Sequence, residues 1–134
     1  VRVFLDTNVL ISAFATRGLC EDILQTVLAE HQLVLGETVL SELARVQRTK
    51  FGSPDDLVEE TLAFLRREAV VTSESVDSGV TLRDPTDIRI LGEALAADAE
   101  ALVTGDRDLL DAAAQAPLPI LSPRAFWDRL RSDS

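Results

Sequence analysis

Four acids in this chain stand where strand-like runs give way to turns or helix starts. They are Asp6 after VRVFL, Glu42 within ETVLSEL, Asp87 within RDPTD and Asp106 within ALVTGD. Asp84 and Asp108 lie close beside this set. Carboxylates gathered from separated segments, with no histidine or cysteine among them, are the ligand set that hard divalent cations prefer, Mg2+ or Mn2+. One or two such ions turn bound water into a nucleophile and neutralise charge on a phosphodiester under attack. Without an ion the gathering is costly, since two like charges 4 Å apart repel by about 4 kcal/mol at an effective dielectric near 20. Protonating some of the acids or binding cations relieves that repulsion. No serine or cysteine shows the base-plus-orienter arrangement of a covalent nucleophile. Cys20 reads as a small hydrophobe in a helix, and His31, the only histidine, as a surface or helix-terminal residue remote from the acids.

The elements that must position these acids follow from the apolar pattern. Val1–Leu5, Gln32–Leu35, Ala69–Thr72, Ala101–Thr104 and Leu118–Leu121 read as short buried strands. Between them run amphipathic stretches: Val9–Ala15, a helix from Leu19, and one from about Thr38 with Val39, Leu40, Leu43 and Val46 on its apolar side. Ser53-Pro54-Asp55-Asp56 reads as a capped helix start, leading into a helix that buries Leu57, Val58, Leu62, Phe64 and Leu65. Asp84-Pro85-Thr86-Asp87 opens another, with Ile88, Leu91 and Leu95 toward the core; a short helix follows from about Asp108. Ser122-Pro123 starts the last helix, docked by Phe126, Trp127 and Leu130. Short apolar strands alternating with such helices predict an α/β fold, a mostly parallel sheet covered on both faces. In such sheets ligands bind outside the carboxyl ends of the strands. Asp6 and Asp106 fall at those ends, and Glu42 and Asp87 lie early in helices that open on the same edge.

Each acid also has a plainer reading. Asp84 and Asp87 have the spacing of a capping box, and Asp108 could be an ordinary helix cap. Glu42 alone could be a solvated face. Asp6 and Asp106 are harder to dismiss, because a carboxylate at the end of a buried strand must be paired or pay for desolvation. The coincidence of the four carries the signal.

Composition bounds the rest. With 134 residues, 46% hydrophobic and 27% charged, the chain fits one globular domain, 1–134. Its start shows no secretory signal, no apolar run is long enough to span a bilayer, and the single cysteine forms no internal disulfide; a reducing cytoplasm is the expected location. A net charge of −10 argues against a nonspecific polyanion binder, unless the acids share a pocket whose cations invert the local charge.

VFLDTNVLISAF, ETVLSEL, RDPTDIRILGEAL and ALVTGDRDLL resemble the PIN domain family in order and spacing, across essentially the whole chain. The resemblance implies a three-layer α/β/α sandwich and a Mg2+- or Mn2+-dependent endoribonuclease. It also implies the VapC type of toxin, held by a small antitoxin and commonly a homodimer. Carried over by position, Asp6, Glu42, Asp87 and Asp106 form its acidic quartet. Asp6 and Asp87 would ligate metal directly, and Asp106 directly or through water. Asn8 and Thr104 match positions that orient acids or waters, and RDPTD leaves Asp84 as an alternative to Asp87.

Twelve of the 13 basic residues are arginine, suited to bidentate phosphate contact. Arg17, Arg45, Arg48 and Arg107 are candidate RNA contacts, with Lys50 and Arg83 nearby; solvated, acid-paired surface arginines are the plainer reading. Ile11, Phe14 and Leu19 are candidate apolar residues for a partner. Two rivals remain. An aspartate-based phosphotransfer enzyme wants a second Asp where Asn8 stands, or a late lysine where the chain has none, Lys50 being its only one. A non-catalytic binding module has no need of the four acids.

Overall fold

A computed structural model of the chain describes residues 1–132. Its centre is a five-stranded, all-parallel sheet built from β1 (Arg2–Leu5), β2 (Gln32–Gly36), β3 (Val70–Thr72), β4 (Ala101–Val103) and β5 (Ile120–Leu121), in the order β3-β2-β1-β4-β5. Val3 lies opposite Leu33 on one side and Ala101 on the other, so β1 is the central strand. Val3, Phe4, Leu5, Val34, Leu35, Leu102 and Val103 are wholly buried. That double-sided burial is why these strands read as continuous apolar runs with no polar alternation. The expected sheet is thus parallel throughout.

Helices connect the strands. Helices α1 (Thr7–Ala15) and α2 (Leu19–Glu30) lead from β1 to β2, and α3 (Glu37–Thr49) and α4 (Asp55–Glu68) from β2 to β3. Then α5 (Pro85–Ala96) leads to β4, and α6 (Arg107–Asp111) with a 3-10 turn, Ala113–Gln115, to β5; α7 (Pro123–Ser132) packs against α2 and β5. From β1 the chain steps to β2 on one side, and later returns to β4 on the other. Right-handed crossovers in that order put α1 to α4 on one face and α5 on the other. The strand order reverses between β1 and β4, and the crevice at their carboxyl ends is the usual ligand position in such sheets.

Three local expectations are corrected. In α4 the N-cap is Pro54, which has no side-chain donor or acceptor, so Ser53 does not cap the helix. Leu57 is 47% exposed, because it stands about 100° around the helix from the buried Val58. In α5 the buried positions are Asp87, Ile90, Leu91 and Ala94, an i, i+3, i+4, i+7 set, with Gly92 and Glu93 beside them, which leaves Ile88 40% exposed and Leu95 half-buried. Phe126 docks α7 as expected, with Trp127 and Leu130 half-buried beside it. His31 is the C-cap of α2, and Cys20 is half-buried in the same helix. Among the described residues no helix is long and apolar enough to cross a membrane.

Candidate metal centre

Asp6 immediately follows β1, and its backbone N–H still donates to Val103 O of β4 (2.9 Å). It also caps α1, its Oδ1 accepting from Thr7 N at 2.7 Å. Its Oδ2 accepts from Thr104 Oγ1 at 2.7 Å and from Asn8 Nδ2 at 3.3 Å. A carboxylate only 3% exposed is thereby bonded at both oxygens. Burial is the larger influence and pushes its pKa up; the bonds from Thr104 and Thr7 pull it back, and the charges of Glu42 and Asp106 push the same way as burial.

Thr104, fully buried after β4, faces two acids at once. It donates to Asp6 and accepts from Asp106 N at 2.9 Å. Asp106 in turn caps α6, its Oδ1 accepting from Asp108 N at 2.8 Å. Asn8 Oδ1 accepts from Gly105 N (2.8 Å), tying the start of α1 to the turn after β4. The segments DTN and TGD are therefore stitched together across the β1/β4 crevice by side chain and backbone alike.

The other acids reach the same edge from the two helical layers. On α3, Glu42 Oε1 accepts from Thr7 Oγ1 at 2.7 Å, which sets it beside the start of α1. Asp87, in the first turn of α5, is 6% exposed, and its pKa is raised to about 7. Burial is the largest cause, followed by the charges of Asp106, Asp84 and Asp6. Ligand oxygens of Asp87, Asp106 and Asp108 all lie within 4.8 Å of one another.

The structure sorts the expected site residues as follows. Asp6 lies within electrostatic reach of Glu42, Asp106 and Asp87, and Asp87 of Asp106; Thr104 joins Asp6 to the Asp106 amide, and Thr7, next to Asp6, holds Glu42. The tightest trio, however, is Asp87, Asp106 and Asp108, with Asp6 outside it. Asp84 caps α5, accepting from Thr86 N at 2.9 Å with Pro85 next. Asp108 is not the cap of its helix, because Asp106 holds that place. It pairs instead with Arg83, whose guanidinium stands 2.8 Å from Oδ1. Arg17, Arg45 and Arg107 are exposed, and Arg48 engages Asp55 at 3.1 Å. Sequence reasoning missed Thr7, the Gly105 amide and the Arg83–Asp108 pair. Thr7 alone had a signal, a hydroxyl beside an acid at a helix start.

The donor set fits a hard cation. It is all oxygen, and burial, with the charges of Asp106, Asp84 and Asp6 behind it, raises the Asp87 carboxyl to about 7. Its Asp87, Asp106 and Asp108 oxygens, within 4.8 Å of one another, are the ones that would hold such an ion.

Several solved structures share this architecture. A chain in the structure of VapBC-1 from nontypeable Haemophilus influenzae has a TM-score of 0.66 and 18% identity, covering 92% of this chain and 99% of that one. A chain of VapBC2 from Rickettsia felis, bound to a DNA fragment from their promoter, gives 0.64 and 16%, covering 91% and 98%. The PIN domain endonuclease Utp24 gives 0.54 and 18%, covering 90% and 84%. At these identities the likeness is one of fold. No curated protein matches by sequence. The pattern that defines the PIN domain matches residues 2–108, from the first strand into the helix after the fourth, and the chain belongs to the PIN domain family.

Proposed function

We propose that this chain is a Mg2+- or Mn2+-dependent endoribonuclease, with residues 1–134 acting as one nuclease domain. In this reading Asp6, Glu42, Asp87 and Asp106 are its acidic machinery. The observation that carries it is the meeting of those acids, from four separated segments, over the β1/β4 crevice with an oxygen-only donor set. Asp87 and Asp106 would hold the ion, with Asp108 beside them and Asp6 reaching it from the β1 side. When bound, the ion supplies a nucleophile from water and neutralises charge on the scissile phosphodiester.

The chain's own residues do the rest. Thr104 and Asn8 hold the Asp6 carboxylate in orientation by donating to its Oδ2. Thr7 does the same for Glu42, leaving that carboxylate's other oxygen to accept a proton or a water. Asp87 gives up its proton when positive charge enters the site. The exposed arginines Arg17, Arg45, Arg48 and Arg107 supply phosphate contacts that offset the net charge of −10.

The biological reading is a cytoplasmic toxin of the VapC type, working as a homodimer and restrained by a small antitoxin protein. The shared fold with chains of VapBC structures supports it. So does a groove lined by Ile11, Phe14, Leu43, Phe51 and Leu57, where Phe14, Phe51 and Leu57 are exposed apolar side chains that suit a protein partner. The test is cleavage of single-stranded RNA by the native chain, D6N and D87N, each with Mg2+ and with EDTA. Cleavage confined to the native chain with Mg2+ supports the reading; equal cleavage by all three, or indifference to EDTA, overturns it.

A further inference from the structure

Glu93 lies on the inward side of α5 and is 3% exposed, although it is a carboxylate in an otherwise apolar stretch. Its partner is Thr38, at the second position of α3. Glu93 Oε2 accepts from Thr38 Oγ1 at 2.8 Å, and both carboxylate oxygens face Thr38 N, at 3.3 and 3.4 Å. The amide at that position of a helix is ordinarily satisfied by the side chain of the N-cap residue. Here the N-cap is Gly36, which has no side chain to offer.

Gly36 has φ −119°, a conformation any residue adopts, so backbone freedom does not explain it. Space does. A Cβ at position 36 would run into the Glu93 carboxylate and come within 2.8 Å of Glu93 Cβ. The glycine leaves the helix start uncapped and makes room for a cap supplied from another helix. Burial pushes the Glu93 carboxyl up, and the Thr38 bonds draw it back toward the charged form that a helix N-terminus favours.

The two helices joined in this way are those that carry two of the four acids. Glu42 lies one turn beyond Thr38 on α3, and Asp87 lies six residues before Glu93 on α5, about 9 Å along the axis. We propose that Glu93 is a positioning residue: by capping α3 from α5 through Thr38, in the space Gly36 leaves, it fixes Glu42 relative to Asp87. This rests on the nuclease reading for its consequence in catalysis, while the clamp itself is a property of the fold.

The test uses the full chain as E93A, E93Q and G36A. Mn2+ binding is followed by electron paramagnetic resonance, RNA cleavage by kcat and KM, and amide exchange by NMR. In E93A, Mn2+ half-saturation should rise about tenfold and kcat fall by a similar factor with KM for RNA unchanged. E93Q keeps one acceptor oxygen and should recover most of both. G36A displaces the carboxylate without altering it and should follow E93A, which also covers the case in which E93A fails to fold. Variants that lose thermal stability yet bind Mn2+ and turn over like the native chain overturn the proposal. If the native chain neither binds Mn2+ nor cleaves RNA, the nuclease reading fails, and exchange decides the clamp. First-turn amides of α3 exchanging about tenfold faster in E93A, with α7 unchanged, support it; unchanged exchange in α3 overturns it.

Discussion

Thr104 Oγ1 lies 2.7 Å from Asp6 Oδ2, joining two residues 98 positions apart at the ends of adjacent strands. Both are buried, so the bond is made away from water, and it is one of the influences that keep the Asp6 carboxyl from rising further. T104V should lower stability by about 1–3 kcal/mol, because it leaves a buried acceptor less satisfied. It should also lower RNA cleavage by about 10–100-fold, the usual effect of losing a group that orients a ligand. T104S should keep most of both. Urea unfolding and cleavage rates check the pair.

The central strands and the acids that follow them were legible because burial on both faces leaves an unmistakable run of apolar residues. The chemistry then falls on the first polar positions after it, Asp6 and Thr104-Gly105-Asp106. The rotation of α5 was not legible: Asp87 itself occupies the buried stripe, so an apolar pattern drawn from Ile88 was turned by about 100°. The partner of Asp108 was hidden for a different reason. Arg83 reaches it from the loop before α5, and no periodicity links a loop to a helix 25 residues on. Glu93 did leave a trace, a lone acid between Leu91 and Ala94, but its meaning depends on the glycine at position 36 in another element.

Asp87 gives the protein a pH dependence of definite sign. Folded, its carboxyl holds a proton up to about pH 7; unfolded, it releases it near 3.8. Between those values the folded state binds more protons, so stability is full below about pH 4 and is lost as pH rises through about 7. In EDTA, the urea midpoint of the native chain should therefore fall from pH 5 to pH 7.5. D87N should show a clearly smaller fall, the remaining slope coming from the other acids.

Divalent ions should act in the opposite direction. On the proposed function Mn2+ or Mg2+ binds only the folded arrangement of acids, so at 100 times its Kd it should add about 2.7 kcal/mol of stability. The gain should be larger at pH 7.5 than at pH 5, where protons compete for Asp87. Differential scanning calorimetry with and without EDTA measures it. D106N should abolish most of the gain.

Arg45 and Arg48 stand on the exposed side of the helix that bears Glu42. R45E combined with R48E should raise KM for RNA about tenfold at low salt while leaving kcat within about twofold, and the difference should shrink as salt rises. Because Arg48 is exposed and its pairing with Asp55 is solvated, stability should change by less than about 1 kcal/mol.

The most direct test of the account is anomalous scattering from a crystal of the native chain soaked in Mn2+ near pH 7.5. The account predicts a peak between the carboxylates of Asp87 and Asp106, with Asp108 or Asp6 completing the ligands, and its loss in D87N. A fully soaked crystal with no peak there, or one that persists in D87N at full height, would contradict it.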